Sequence, residues 1–171
     1  EKIVFEKTST LLNSNIVVAK QNSEKTINCI KKNISYNKSK KIYFNEDFKY
    51  STKGNGFFNF KDKNGEINLL KPNVLGQFQL ENISTAIATL RLLNLDIKEN
   101  DIKNGIKKIN NIARLQEISS GKLKKIVKNN LFLLSGDHNV DGARVLNEYL
   151  QTLDCNKHVI IGMMANKDHE K

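Results

Sequence analysis

A chain of 171 residues holds one full domain or parts of two, and 39% apolar beside 27% charged residues supplies enough core-forming side chains to exclude disorder as the default. The net charge of +10 comes almost wholly from lysines dispersed through every segment, only Arg91, Arg114 and Arg144 being arginine, which argues against the clustered cations and interleaved aromatics of a nucleic-acid groove. No run approaches the roughly eighteen apolar residues of a membrane span, no signal-peptide pattern is present, and Cys29 and Cys155 are too few and too distant for a disulfide scaffold or metal knuckle. A reducing, cytoplasmic compartment is expected. The first residue is Glu1 and the last three follow directly on a strand and turn, so a segment of a longer protein is expected.

In chain order, Ile3-Val4-Phe5 leads into a polar turn at Glu6 to Thr10. Ile16 to Ala19 reads as a buried strand, Ser23 as the cap of a helix carrying Ile27, Ile30 and Ile34, and Ile42-Tyr43-Phe44 as the next strand, a βαβ-like unit. From Phe57 to Leu70, Phe58 and Phe60 alternate with polar residues on one side of Asn64-Gly65, and Ile67 and Leu69 on the other. That pattern predicts an antiparallel hairpin with a type I′ turn. Pro72 and Gly76 lie in a link. Leu80, Ile83, Ile87, Leu90 and Leu93 then trace the buried stripe of a helix beginning near Gln79, and Ile102, Ile106 and Ile109 that of a second beginning near Asn100-Asp101. Asn110-Asn111 marks the expected domain boundary. Ala113 to Ile118 is predicted to be a strand, with Leu123 to Val127 pairing beside it.

The last stretch, Leu131 to Met164, carries the strongest signal. Leu131 to Leu134 has the length of a strand buried on both faces. A polar turn, Ser135 to Asn139, follows, and then Ala143, Leu146, Leu150 and Leu153 line one face of a helix started by Asn139 and Asp141. With Val159-Ile160-Ile161 as a second strand this reads as a βαβ unit. Ligands of open parallel sheets gather beyond the carboxyl ends of the strands, which makes the Ser135 to Asn139 turn a candidate for chemistry.

Four segments in this order resemble the folylpolyglutamate synthase and dihydrofolate synthase family, a branch of the Mur ligases. IVFEKTSTLL (3–12) is similar to its IAxEKAGIxK, LGQFQLENISTA (75–86) to LxGxHQxxNAxxA, and ARLQEI (113–118) to GRLQxI. LSGDHNVDGA (134–143) is similar to LDGAHNPDGA and is followed by IIGMMANKD (160–168), similar to VxGxxxDKD. The fold this resemblance implies is α/β: residues 1–111 as the end of a P-loop-type Mur ligase central domain with a β-hairpin, and 112–171 as the first part of a Rossmann-like C-terminal domain. The P-loop itself, GxxxxGK followed by Ser or Thr, appears nowhere in these residues, so the segment alone is expected to be inactive.

The resemblance implies an ATP-dependent amide ligase that joins L-glutamate to a folate or dihydropteroate carboxylate through an acyl phosphate. ATP and Mg²⁺ would be its cofactors, and a monomer working on small molecules without nucleic acid or membrane is expected. Lys7 matches the family lysine that is carbamylated, which would turn a cation into an anionic oxygen ligand for Mg²⁺. Asn82 matches the asparagine that contacts adenine, since a carboxamide donates and accepts at once. Arg114 matches the arginine that reaches the ATP phosphates, a planar fork whose charge cannot be lost. His138 and Asn139 match the HN of DGAHN, and His138 could meet phosphate or substrate or cap the next helix. Three positions depart from the pattern: Thr8-Ser9-Thr10 replaces Ala-Gly-Ile, Phe78 replaces a histidine, and Ser135 replaces the aspartate that binds the ribose hydroxyls, with Asp137 two residues on as a substitute. Asn166-Lys167-Asp168 reads as an exposed turn, and His158, His169, Met163 and Met164 as structural. A cell-wall Mur ligase and a non-catalytic relative with a decayed nucleotide site are the alternatives.

Overall fold

Helix α1 (Lys2–Thr8) opens the chain in the computed structural model, which describes residues 2–54 and 56–164. The helix runs through Glu6, Lys7 and Thr8, where a turn was expected. Its end is closed by side chains that bond back to the helix: Thr8 Oγ1 donates to the Val4 carbonyl at 2.8 Å and Ser9 Oγ to the Glu6 carbonyl at 2.9 Å. Strand β1 (Ile16–Val18), helix α2 (Glu24–Asn33) and strand β2 (Lys41–Tyr43) follow, and β1 and β2 pair in parallel with α2 as the crossover. Ile16, Val18 and Ile34 are buried there, with Leu11, Ile27 and Ile30 packed against them. Each such side chain contributes about 1.5–3 kcal/mol on burial. Ser23 occupies the N-cap position of α2 as predicted, but its hydroxyl makes no capping bond.

Strands β3 (Phe48–Lys53), β4 (Phe57–Asp62) and β5 (Gly65–Leu70) form an antiparallel meander in which Tyr50 faces Phe60 and Phe60 faces Ile67. The predicted hairpin is β4–β5. Its turn differs: Asp62 pairs with Gly65, so Lys63 and Asn64 form the loop, and neither has the positive φ that type I′ requires. Gly65 alone takes φ +113°, and the Asp62 carboxylate accepts the Asn64 N–H at 2.8 Å. Phe48, Phe58, Phe60, Ile67 and Leu69 are buried. Helix α3 (Gln77–Leu92) buries Leu80, Ile83, Ser84, Ile87 and Ala88, whereas Leu93, expected on its stripe, lies past its end and is exposed. Arg91 of α3 pairs with Asp62 and sets its guanidinium 5.4 Å from the Phe60 ring centre. Helix α4 (Glu99–Lys107) buries Ile102 and Ile106 as expected.

The chain divides into two units, Glu1–Lys71 with Glu81–Ile106 and Pro72–Leu80 with Lys107–Lys171. The second contains β6 (Gln116–Glu117), α5 (Lys122–Val127), β7 (Leu133–Leu134) and α6 (Val140–Gln151). Of the strand expected over Ala113 to Ile118 only Gln116–Glu117 forms, because Ala113 and Leu115 hold φ values of +54° and +53°, outside extended backbone. Leu123 to Val127 is helical; its apolar residues recur at three- and four-residue steps, not alternately. Leu133–Leu134 pairs antiparallel with Gln116–Glu117, and Leu131 and Leu134 are half exposed, so this strand is not buried on both faces. Val159 to Ile161 is not a strand: it has no ladder partner among the described residues, and Ile160 is fully exposed. Helix α6 begins where predicted, with Asn139 Oδ1 accepting the Gly142 N–H at 2.8 Å. Asn166-Lys167-Asp168 and His169 lie outside the described residues.

Candidate functional site

Arg114 stands between the two left-handed residues Ala113 and Leu115. Such a conformation costs a non-glycine residue about 1–2 kcal/mol, and it persists only where the surroundings determine it. Here the backbone is bonded at successive points. The Ala113 carbonyl accepts the Gly136 N–H at 2.8 Å, and the Ala113 N–H donates to Gln116 Oε1 at 3.0 Å. The Arg114 carbonyl accepts from Gln79 Nε2 at 3.3 Å, and the Leu115 N–H donates to Ser135 Oγ at 3.3 Å. Leu115 is itself 2% exposed and anchors the turn in the core of the second unit. The Arg114 side chain, by contrast, is exposed and makes no hydrogen bond or ion pair among the described residues.

Gln79 is 1% exposed, and its remaining polar atom is satisfied as well: Oε1 accepts from Asn111 Nδ2 at 2.8 Å. A buried carboxamide with both ends bonded costs little, whereas one left unbonded costs about 1–3 kcal/mol. Gly76, with φ +91°, lets the chain pass between Phe78 and Leu115, where a side-chain carbon would meet the Phe78 ring at 2.5 Å. Gln79 and Asn111 are the candidate-site residues that the sequence analysis did not single out, although Gln79 stands at the glutamine of the HQxxN pattern that Asn82 also matches.

The turn after β7 supports Arg114 from the other side. Ser135 Oγ, besides accepting from Leu115, donates to Asp137 Oδ2 at 2.5 Å. Asp137 rests against the first turn of α6, where a side-chain carbon at Gly142 would come within 2.8 Å of its Oδ1. The amino-terminal end of a helix favours such a negative charge. His138 is exposed and its Nδ1 lies 2.9 Å from the Gly136 carbonyl. A carbonyl only accepts, so Nδ1 carries the proton, and in the neutral ring Nε2 is the acceptor. Ser135, Asp137, His138 and Arg114 therefore belong to one constellation within the second unit.

Lys7 and Asn82 lie in the first unit. Lys7 sits in the last turn of α1, exposed and without an ion pair among the described residues. The helix end carrying it is tied down: Thr8 is buried, and Tyr36 Oη donates to the Thr8 carbonyl at 3.1 Å. Asn82 is exposed on α3. The described residues contain no group of three or more His, Cys, Asp or Glu placed to hold a metal. An open cleft of about 520 Å³ between α1 and α2, lined by Lys2, Phe5, Lys25 and Lys32, contains neither Lys7 nor Asn82. No described helix is long and apolar enough to cross a membrane.

The architecture is a mixed α/β fold. It is, specifically, part of the folylpolyglutamate synthase fold. The chain superposes on a folylpolyglutamate synthase of Thermotoga maritima with a TM-score of 0.72 at 21% identity, covering 88% of this chain and 35% of that one. It superposes on E. coli FolC in complex with DHPP and ADP with a TM-score of 0.73 at 24% identity, covering 91% and 34%. For a variant of L. casei FPGS the TM-score is 0.73 at 20% identity, covering 95% and 40%. The chain thus spans roughly a third to two fifths of the length of these structures. No family model matches the sequence, and no curated protein matches it.

Proposed function

We propose that these residues are part of an ATP-dependent ligase that forms an amide between L-glutamate and a folate or dihydropteroate carboxylate. The observation that carries this reading is the superposition of nine tenths of the chain on FolC and FPGS structures, one of them bound to DHPP and ADP. In this reading residues 1–111 close the central ATPase domain and 112–171 open the C-terminal one.

The chemistry proceeds in two displacements. A carboxylate oxygen of the pteridine substrate attacks the γ-phosphorus of ATP, the bond to the β-bridging oxygen breaks, and ADP leaves with that electron pair. The amine of glutamate then attacks the acyl phosphate carbon, loses a proton, and expels inorganic phosphate as the amide forms. Both steps crowd negative charge, so the protein's contribution is chiefly charge neutralisation and alignment. Mg²⁺ would supply the largest part of that neutralisation.

In this assignment Arg114 offers its guanidinium to phosphate oxygens, and Asn82 offers a donor and an acceptor to the adenine edge. Lys7, as its carbamate, would hold Mg²⁺. Ser135 spends its hydroxyl proton on Asp137. The acceptor left for a ribose hydroxyl is therefore the Asp137 carboxylate, and Ser135 positions it. His138 presents Nε2, neutral as an acceptor or protonated as a donor to phosphate.

The test is substrate-dependent ATP consumption by the complete gene product. ADP release is expected only with glutamate plus dihydropteroate or a folate, and not with UDP-linked muramoyl peptides and their amino acids. Release of ADP with the muramoyl substrates alone, or with neither set, rejects the assignment.

A further inference from the structure

We infer that Gln79 is a positioning residue for Arg114: a buried carboxamide that holds a strained turn in the one arrangement that displays the guanidinium. The inference rests on the assignment of Arg114 to phosphate and goes beyond it, since Gln79 touches no substrate.

Two left-handed, non-glycine residues, Ala113 and Leu115, flank Arg114. Such backbone would relax unless held. Nothing in a purely structural turn requires this strain, because a glycine at either position would remove it. The neighbouring elements hold the turn from both sides. Gly136 N–H and Ser135 Oγ bond to Ala113 and Leu115, the residues flanking Arg114. Among the described residues only Gln79 bonds to the backbone of Arg114 from outside its own loop, through the carbonyl at 3.3 Å. Release of that carbonyl lets the Arg114 peptide rotate, and the direction of the side chain rotates with it.

Gln79 is also held where it must be. Asn111 Nδ2 donates to Gln79 Oε1 at 2.8 Å, which fixes which end of the carboxamide is oxygen and leaves Nε2 to face Arg114. The side chain is 1% exposed, so water cannot replace either bond without opening the core. A residue kept only for packing at such a place would be apolar, because a buried carboxamide adds nothing to packing that methionine would not supply. Its chemistry is accounted for by the two bonds it makes. One orients it, and the other orients Arg114.

The test is a double-mutant cycle in the complete protein, read as the KM for ATP and the kcat, with thermal unfolding in parallel. Gln79→Met keeps the volume and removes the donor; Arg114→Ala removes the guanidinium. Gln79→Met is expected to raise KM for ATP about tenfold in the wild-type background and less than about twofold in the Arg114→Ala background, with kcat changed far less than KM. Gln79→Glu keeps the acceptor for Asn111 but cannot donate to the Arg114 carbonyl at neutral pH. It should match Gln79→Met in KM, although its bond to Asn111 survives. An equal rise in KM for Gln79→Met in both backgrounds, or no rise in either while Arg114→Ala remains strongly impaired, overturns the positioning role and leaves the assignment of Arg114 standing. An Arg114→Ala protein with unchanged KM for ATP overturns both.

Discussion

Replacement of Ser135 by aspartate restores the residue type of the family pattern at that position, and resemblance alone would lead one to expect tighter nucleotide binding. The structure predicts instead a loss of stability. Ser135 Oγ is a donor 2.5 Å from Asp137 Oδ2, so an aspartate there exchanges an attractive bond for two facing carboxylates. Unit charges about 4 Å apart interact by about 4 kcal/mol at an effective dielectric of 20 and about 1 kcal/mol in bulk water. Asp137 is half buried, which places the repulsion near 2 kcal/mol. The Leu115 N–H keeps an acceptor in either case, so the charge term is isolated. A neighbouring carboxylate raises the folded-state pKa of the pair. The penalty is thus present when both are ionised and disappears as pH falls through the raised value and one proton is shared. Urea unfolding of wild type and Ser135→Asp at pH about 7.5 and about 4 should show a loss of about 2 kcal/mol at the first and under about 0.5 kcal/mol at the second. Adding Asp137→Asn should abolish the loss at the higher pH, since the carboxamide donates to the new carboxylate. A variant as stable as wild type at pH 7.5, or equally destabilised at both pH values, would refute the reasoning.

The remaining predictions address other parts of the chain. Arg91→Met removes both the ion pair to Asp62 and the contact over the Phe60 ring in a poorly exposed setting, and should cost about 2–3 kcal/mol in urea unfolding while leaving KM for ATP unchanged; a loss below about 0.5 kcal/mol would show that the pair is idle. Lys7→Met should lower kcat by at least about a hundredfold with Tm within about 1 °C, because Lys7 is exposed and its proposed role is chemical. Stripping carbon dioxide should depress the wild-type rate reversibly, and indifference to bicarbonate would sink the carbamate. The Glu66 carboxyl is held below the ordinary glutamate range by Lys61 and then by Asn59. Its depressed folded pKa means that its contribution to the hairpin is complete above the unfolded value and lost as pH falls through the folded one. Amide exchange in β4 and β5 should therefore separate wild type from Glu66→Gln near pH 6, and the gap should close as pH falls below the ordinary glutamate range; a gap that stays constant on acidification contradicts the linkage.

The parts legible in the sequence were those whose signal is local. Alternation around Phe58, Phe60, Ile67 and Leu69 specified β4–β5, and Asn139 with the spacing of Leu146 and Leu150 specified the start and face of α6. Local signals also misled where two conformations share a composition. The run Leu123 to Val127 suits a short strand by residue type, but its spacing is helical, and Val159 to Ile161 has strand chemistry without a hydrogen-bonded neighbour among the described residues. A strand exists through its ladder, and a ladder is a property of two segments. β3 escaped notice because only Phe48 of its apolar residues is fully buried, leaving the alternation faint.

The same distinction separates the displayed side chains of the candidate site from what holds them. Lys7, Asn82, Arg114 and His138 can be proposed one at a time from motifs, because each offers a terminal group suited to a ligand. Whether such a group is aimed depends on atoms far away in the chain. The Arg114 carbonyl is held by a residue 35 positions earlier, and the Leu115 N–H by one 20 positions later. Neither Gln79 nor Ser135 has a side chain that advertises this task. Serine in place of aspartate reads as a loss in one dimension; in three it is the donor that carries Asp137 and the acceptor that steadies Leu115. In the proposed reading the substitution changes which residue offers the carboxylate while keeping the turn that presents Arg114. Two left-handed residues around one exposed guanidinium are a cost that a decayed site would have no reason to keep, since relaxing them would stabilise the fold, and this favours the proposed role of Arg114.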